Sequence, residues 1–277
     1  MELYKKNALD ISRITTANYS TSFSLGTRML GSNHRKGIYA IYGFVRFADE
    51  IVDTFHGYDK EKLIRDFRNQ TYDAINTKIS TNPILHSFQW AVNRYNIDEE
   101  LINAFMDSME MDLNNSVYDQ NKIQTYIYGS AEVVGLMCLR VFYDGDEQGY
   151  QNLKYPARKL GEAFQKVNFL RDMKDDFYDK GRIYFPGVDF RNFNDEVKKE
   201  IEEDIEQDFN EAFNGIVQLK PAARFGVYLA YRYYLQLFNK IKRTAAGNIM
   251  QKRYRVPNWM KMVLLFKSYV RNTTSLF

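Results

Sequence analysis

One cysteine, five prolines and no run of about 18 uninterrupted apolar residues set the first limits on this chain of 277 residues. The lone Cys138 excludes an intramolecular disulfide and any cysteine-based metal site. It sits in an apolar run and reads as a small core residue in a reducing compartment. Without a spanning run the chain is not expected to be integral to a membrane, and the start Met1-Glu2-Leu3-Tyr4-Lys5-Lys6 carries no signal peptide, so the expected location is cytoplasmic. Net charge is only +3 with the signs interspersed, which gives no footprint for nucleic acid. No Pro/Gly/Ser-rich linker, fixed-period repeat or low-complexity tract interrupts the sequence, so residues 1–277 are expected to form a single domain.

What is abundant is helical spacing. Long stretches with apolar residues three and four apart predict an all-α protein, with helix starts at Asn33, Asp59, Asp98 and Asp195. Turn signals stand at Asn82-Pro83, Asp144-Gly145-Asp146, Gly181, Pro186-Gly187 and Pro221. The 21 Tyr, 20 Phe and 2 Trp are mostly core rings by composition alone. A helical bundle so rich in rings can also line an apolar tunnel, and tyrosine faces can stabilise a passing carbocation.

Chemistry concentrates in two acidic runs, Asp49-Glu50-Ile51-Val52-Asp53 and Asp172-Met173-Lys174-Asp175-Asp176. On a helix, residues four apart share a face, so each run presents two stacked aspartates whose like charges need compensation. Gln165, Asn168, Asp172 and Asp176 continue one polar stripe beside the apolar Leu160, Phe164 and Val167, which predicts a charged mouth above an apolar interior. Both runs precede a glycine, Gly57 or Gly181, that marks a helix C-terminus, where the macrodipole disfavours negative charge by roughly 0.3–1 kcal/mol per group. A solvated face is the commoner reading of any single acid pair. Two pairs, one with Asn and Gln in register, point instead to bound cations. Hard oxygen donors with no Cys or His cluster select magnesium, with manganese as the alternative, and magnesium shares its ligands with phosphate oxygens. A diphosphate bridged by several ions is the expected ligand.

Taken together, Asp49-x-x-x-Asp53 and Asn168-x-x-Arg171-Asp172-x-x-x-Asp176 followed by Gly181-Arg182-Ile183-Tyr184-Phe185-Pro186 resemble the two aspartate-rich signatures of the squalene/phytoene synthase family. Ser20-Thr21-Ser22-Phe23 resembles its N-terminal Ser-x-Ser-Phe element, residues 35–46 the stretch leading into its first aspartate motif, residues 126–137 its Tyr-x-Tyr-x-Val-Ala-Gly-x-Val-Gly segment, and Arg253-Tyr254-Arg255-Val256-Pro257 its basic C-terminal element. The likeness covers about residues 12 to 265.

That resemblance implies an all-α isoprenoid-synthase helical bundle around a central apolar cavity. Asp49, Asp53, Asn168, Asp172 and Asp176 would hold magnesium, and Ser20, Ser22, Tyr42, Arg46, Gln165, Arg171 and Tyr234 match positions that line the diphosphate and substrate sites. The residues agree in part, since Tyr42, Arg46, Asp49 and Asp53 step by four, three and four along one helix face. Arg46 would set a planar donor beside phosphate oxygens. Arg253, with Arg35 and Arg255, is a further candidate for the substrate site by the same resemblance, although a solvated surface role fits these three equally well. The chain departs from the pattern at Ser130-Ala131-Glu132, with an acid where a small residue is common, and at Tyr19 and Thr21, where some members carry basic residues.

The implied reaction is head-to-head condensation of two geranylgeranyl diphosphates to phytoene through a cyclopropyl intermediate, with Tyr42, Tyr128 or the released diphosphate accepting a proton. The stretch 129–137 is most similar to that of bacterial phytoene synthases. Farnesyl diphosphate, giving dehydrosqualene or, with a reductant, squalene, is the alternative; no NADPH is expected, and no Gly-rich dinucleotide fingerprint is present. A non-catalytic helical scaffold is the reading from another class, and the intact aspartates argue against it. A monomer or weak dimer is expected. Lys240, Lys242, Arg243, Lys252, Arg253, Arg255, Lys261, Lys267 and Arg271 alternate with Trp259, Met260, Met262, Val263, Leu264, Leu265 and Phe266, the ingredients of an interfacial helix, so peripheral membrane association is expected. A core helix closing the bundle would use the same apolar residues.

Overall fold

A computed structural model describes residues 1–114, 118–176, 181–186, 188, 193–249, 251 and 253–273, so the expectations placed on Gly187 and Lys252 lie outside the described residues. Every extended element among these residues is helical: α1 Glu2–Tyr19, α2 Thr21–Arg28, α3 Ser32–Asp53, α4 Lys60–Thr77, α5 Pro83–Tyr95, α6 Glu99–Asn114, α7 Gln120–Ile127, α8 Val133–Phe142, α9 Glu147–Lys174, α10 Asp195–Ile216, α11 Pro221–Lys242, α12 Ala246–Ile249 and α13 Asn258–Thr273. A π-turn, Tyr128–Glu132, joins α7 to α8. No described helix is long and apolar enough to cross a membrane.

Side-chain caps set the helix starts. Asp59 accepts from Lys62 N, Asn82 from Ile84 N and Leu85 N ahead of Pro83, and Asp146 from Gly149 N. One start differs from the sequence expectation: α3 begins at Ser32 after Gly31, ahead of Asn33. α10 begins at Asp195 as expected, capped by Asn194, which is extended and whose amide oxygen accepts from Glu196 N and Val197 N. Pro221 opens α11 at its first turn, where its missing N–H costs nothing.

Two main apolar clusters hold the helices. One joins α3, α4, α5, α6 and α8 through Phe44, Phe88, Phe105 and Met137, with Phe44 and Phe88 stacked at 3.8 Å. The other joins α9, α10 and α11 through Val167, Phe209, Tyr231 and Phe238. Cys138 packs half-buried against the first cluster, and burial pushes its thiol up to about 12, so it is the inert small residue expected. Close contact at the π-turn depends on glycine: a Cβ on Gly129 would lie 2.3 Å from Ala104 O, and one on Gly161 would lie 2.6 Å from Ala131 O. These contacts lock the π-turn between α6 and α9.

Candidate active site

The first acid run closes α3. Tyr42, Arg46, Asp49 and Asp53 follow one another along its half-buried face. Arg46 reaches Asp49 at 3.8 Å, bonds Glu50, and lies over the Tyr19 ring at 4.3 Å. Its Nε is buried with no hydrogen-bond partner among the described residues. Tyr42 stacks on Phe23 at 4.8 Å, and burial holds its phenol well above the usual range, a hydrogen bond with Ser20 opposing this only weakly. Ser20 also caps α2 by accepting from Phe23 N at 3.1 Å, while Ser22 is half-buried in the first turn of that helix.

The second run closes α9 differently. Asp172 takes a two-point contact from Arg171, at 2.9 and 2.5 Å, and a 2.7 Å ion pair from Arg253. The helix then widens, with Asp175 and Asp176 in π geometry, so Asp176 departs from the α-helical register expected above Asp172. Asp176 is buried in a small pocket with Phe169, Met173, Arg182, Tyr184 and Phe185. Upstream, Gln165 donates to Ser130 Oγ at 3.2 Å and accepts from Asn168 Nδ2 at 3.3 Å, and Asn168 Oδ1 accepts from Tyr234 at 3.3 Å. Tyr234 stacks on Phe164 at 3.8 Å. Tyr128, at the head of the π-turn, packs against the core with the Arg158 guanidinium 5.3 Å from its ring centre.

Arg182 ties the two runs together. Its guanidinium donates to Asp53 Oδ1 at 3.1 Å and to Asp112 O at 2.9 Å, and its backbone N–H donates to Asp176 O at 2.8 Å. Beneath it Asp112, on α6, accepts from Tyr118, Tyr126 and Tyr184 at 3.1, 2.9 and 3.2 Å. Burial pushes the Asp112 carboxyl up, against the pull of Arg182. Sequence reasoning quoted Arg182 as part of a motif without a role and passed over Asp112. The available signal was an acid at i+7 from Phe105 and i+3 from Met109, on a face that buries apolar residues.

Arginines therefore supply compensation the acids require: Arg46 and Arg182 for the first run, Arg171 and Arg253 for the second. Charge repulsion alone no longer demands a metal. Among the described residues no group of three His, Cys, Asp or Glu is assembled as a metal site. The donor set nevertheless fits magnesium, which takes one or two carboxylates and completes its shell with water and phosphate oxygens. Arg46, whose Nη1 lies 3.8 Å from Asp49, keeps a buried Nε without a partner among the described residues, a donor that suits an anionic ligand.

Glu132, the departure from the small-residue pattern, is buried and paired with Arg158 at 2.5 Å, while Gly161 meets the backbone of Ala131 and Glu132. The contact to α9 is thus made by main chain, and the carboxylate is held by an arginine four residues after Lys154 on the same helix.

Residues 16–260 match the model of the squalene/phytoene synthase family. The chain belongs to that family. It is 27% identical to a phytoene synthase of Arthrospira platensis over 94% of this chain and 92% of that protein. It is 28% identical to a 4,4'-diapophytoene synthase of Staphylococcus haemolyticus over 66% and 65%. A solved dehydrosqualene synthase shares the fold, with TM-score 0.83, 21% identity and 98% of each chain covered. A squalene synthase from Alicyclobacillus acidocaldarius superposes at TM-score 0.75 with 18% identity, covering 91% of this chain and 97% of that one. The all-α isoprenoid-synthase fold expected from the sequence is the fold observed. Membership places the protein among prenyltransferase-type synthases.

Proposed function

We propose that this protein joins two geranylgeranyl diphosphates head to head to give phytoene. The observation that supports it most is the ring of Arg46, Arg171, Arg182 and Arg253 around Asp49, Asp53, Asp172 and Asp176. Positive groups already seated among carboxylates can exchange those partners for diphosphate oxygens without moving far. Magnesium, held by Asp49, Asp53, Asn168, Asp172 and Asp176 together with the diphosphates, would neutralise charge on the leaving group.

In this reading the allylic C–O bond breaks and its electron pair leaves with diphosphate. The double bond of the second substrate attacks the cation, and proton loss closes a cyclopropane. A second ionisation, rearrangement and proton loss give the hydrocarbon, so two diphosphates and two protons leave and no reductant is consumed. Arg46 and Arg171 hold the departing oxygens, while the stacked pairs Phe23–Tyr42 and Phe164–Tyr234 wall the cation from water. Burial keeps the Tyr42 phenol neutral, so it accepts a proton only by passing its own onward; Tyr128 and the released diphosphate are the other acceptors.

The name of the Staphylococcus relative favours farnesyl diphosphate as the second reading. Purified protein with magnesium and either prenyl diphosphate, with and without NADPH, decides between them. Phytoene from geranylgeranyl diphosphate without NADPH is the expected product. Consumption of farnesyl diphosphate alone would replace it by the fifteen-carbon reaction, and a reduced hydrocarbon with NADPH would replace it by squalene synthesis.

A further inference from the structure

We propose that the outer face of α13 docks on an anionic lipid bilayer. The helix splits cleanly. Met260, Leu264 and Leu265 pack with Leu25, Met29, Leu229 and Tyr233, and Ser268 is buried beside them. The main chain is pinned from the same side, since Tyr233 donates to Lys261 O at 3.1 Å. On the opposite side Trp259, Met262, Val263, Phe266, Tyr269 and Val270 stand 64%, 56%, 38%, 69%, 55% and 44% exposed, Tyr269 at the border with its ring 6.1 Å from that of Phe225 on α11. Their steps of three, one, three, three and one make a continuous helical stripe. A core helix closing the bundle accounts for the first face only, and an exposed contiguous apolar stripe on a folded protein marks a contact surface.

Charge selects the occupant. After Glu211 the chain contains no aspartate or glutamate, while its lysines and arginines continue to Arg271. Lys267 is exposed on α13, and Arg243 and Arg255 are exposed just before it. Trp and Phe flanked only by basic groups match a surface that is apolar within and negative at its headgroups. A second copy of this chain would bring the same positive rim against itself and is disfavoured. Lys261, grouped with the lipid-facing lysines by sequence, does not join them: it is half-buried and its Nζ bonds Thr21 Oγ at 2.5 Å, which ties α13 to the residue next to Ser20. Arg253, five residues before the helix, pairs with Asp172. The helix whose outer face docks is therefore tied through its inner side and its leading segment to the candidate site, so that apolar substrates and product can pass between bilayer and protein near it.

The test needs no substrate and is independent of the proposed chemistry. The full chain is floated with phosphatidylglycerol/phosphatidylcholine vesicles and with pure phosphatidylcholine vesicles. Binding to the anionic vesicles is expected to fall at least about tenfold in Trp259→Ser/Phe266→Ser, and to fall with added salt and in Lys267→Glu. In a Trp90→Phe background, Trp259 emission should shift to the blue when anionic vesicles are added. Absence of co-flotation at low salt overturns the proposal. So does a lipid-free dimer, seen by sedimentation, that Trp259→Ser/Phe266→Ser dissociates, since a second copy would then own the face.

Discussion

The two acid runs differ in how they are held. In the first, Asp49 and Asp53 end a regular helix and remain about one-third exposed, with Arg46 on the same face of that helix. In the second, Asp172 and Asp176 are more enclosed and the helix widens between them; Arg171 holds Asp172 from the next position, Arg253 from 81 residues away, and the Arg182 main chain reaches back after a glycine at φ +66°. A left-handed Gly181 lets the chain reverse so that the Arg182 N–H meets Asp176 O. Each run thus has one arginine close in sequence, Arg46 or Arg171, and one brought by the fold, Arg182 from 129 residues away or Arg253 from 81; the second differs in being more enclosed and in ending on a widened turn.

The largest expected effect removes the chemistry from both. Asp49→Asn and Asp172→Asn should each lower turnover by on the order of 10²–10³-fold, because each deletes a carboxylate of the proposed diphosphate site. Circular dichroism should show helical content unchanged. The comparison is sharpened by stability: Asp172→Asn loosens Arg171 and Arg253 together, whereas Asp49→Asn leaves Arg46 bonded to Glu50. Near wild-type rates in both variants at saturating magnesium would remove the aspartates from the mechanism.

Next is the bridge. Arg182→Gln breaks the contacts to Asp53 and leaves Asp112 buried without its guanidinium, with three tyrosine hydroxyls still in place. A loss of about 2–3 kcal/mol is expected, below the usual cost of stranding a buried charge because those hydroxyls remain. Urea melts measure it. Arg46→Gln, within the first run, should cost much less stability while also slowing turnover. Equal losses for the two would erase the distinction between support from the same helix and support from a distant part of the chain.

Much of this was legible in the sequence and some was not. The i,i+4 aspartates, the face shared by Tyr42 and Arg46, and the caps at Asp59, Asn82 and Asp146 follow from local rules, and local geometry obeys them. Arg182 and Asp112 meet across 70 residues, and nothing in either neighbourhood announces the pairing. The π-turn at Tyr128 was equally hidden, because it is fixed by the close approach of Gly129 and Gly161 to neighbouring helices and not by propensity. α13 carried two readings that periodicity could not separate; packing accounts for the face of Met260, Leu264 and Leu265 and leaves the other exposed.

A smaller effect probes Asp112 by pH. Its carboxyl sits above its unfolded value, so its contribution to stability is complete below about pH 4 and is lost as pH rises through the folded value. Asp112→Asn keeps an acceptor for the tyrosines and cannot ionise. Wild type and variant should therefore approach one another in acid, and the variant should gain relative stability toward neutral pH, while turnover drops less than about tenfold, because Arg182 loses the Asp112 carboxylate charge but keeps its bonds to Asp112 O and Asp53. A gap that widens in acid instead would mean the ionised form is the stabilised one.

The smallest expected effect is at Glu132. Its partner Arg158 is 44% exposed, so solvent screens the pair, and Glu132→Ala should cost less than about 1 kcal/mol. The contact between the π-turn and α9 runs through Gly161 and main chain and survives the change. Turnover should stay within about twofold of wild type, because Glu132 does not touch the acids, Gln165 or Asn168. Arg158 also lies over the Tyr128 ring, and that gives the measurement its edge. A tenfold loss of kcat with unchanged melting would mean that the Glu132–Arg158 pair sets the orientation of Tyr128, and would favour this ring over Tyr42 as the proton acceptor.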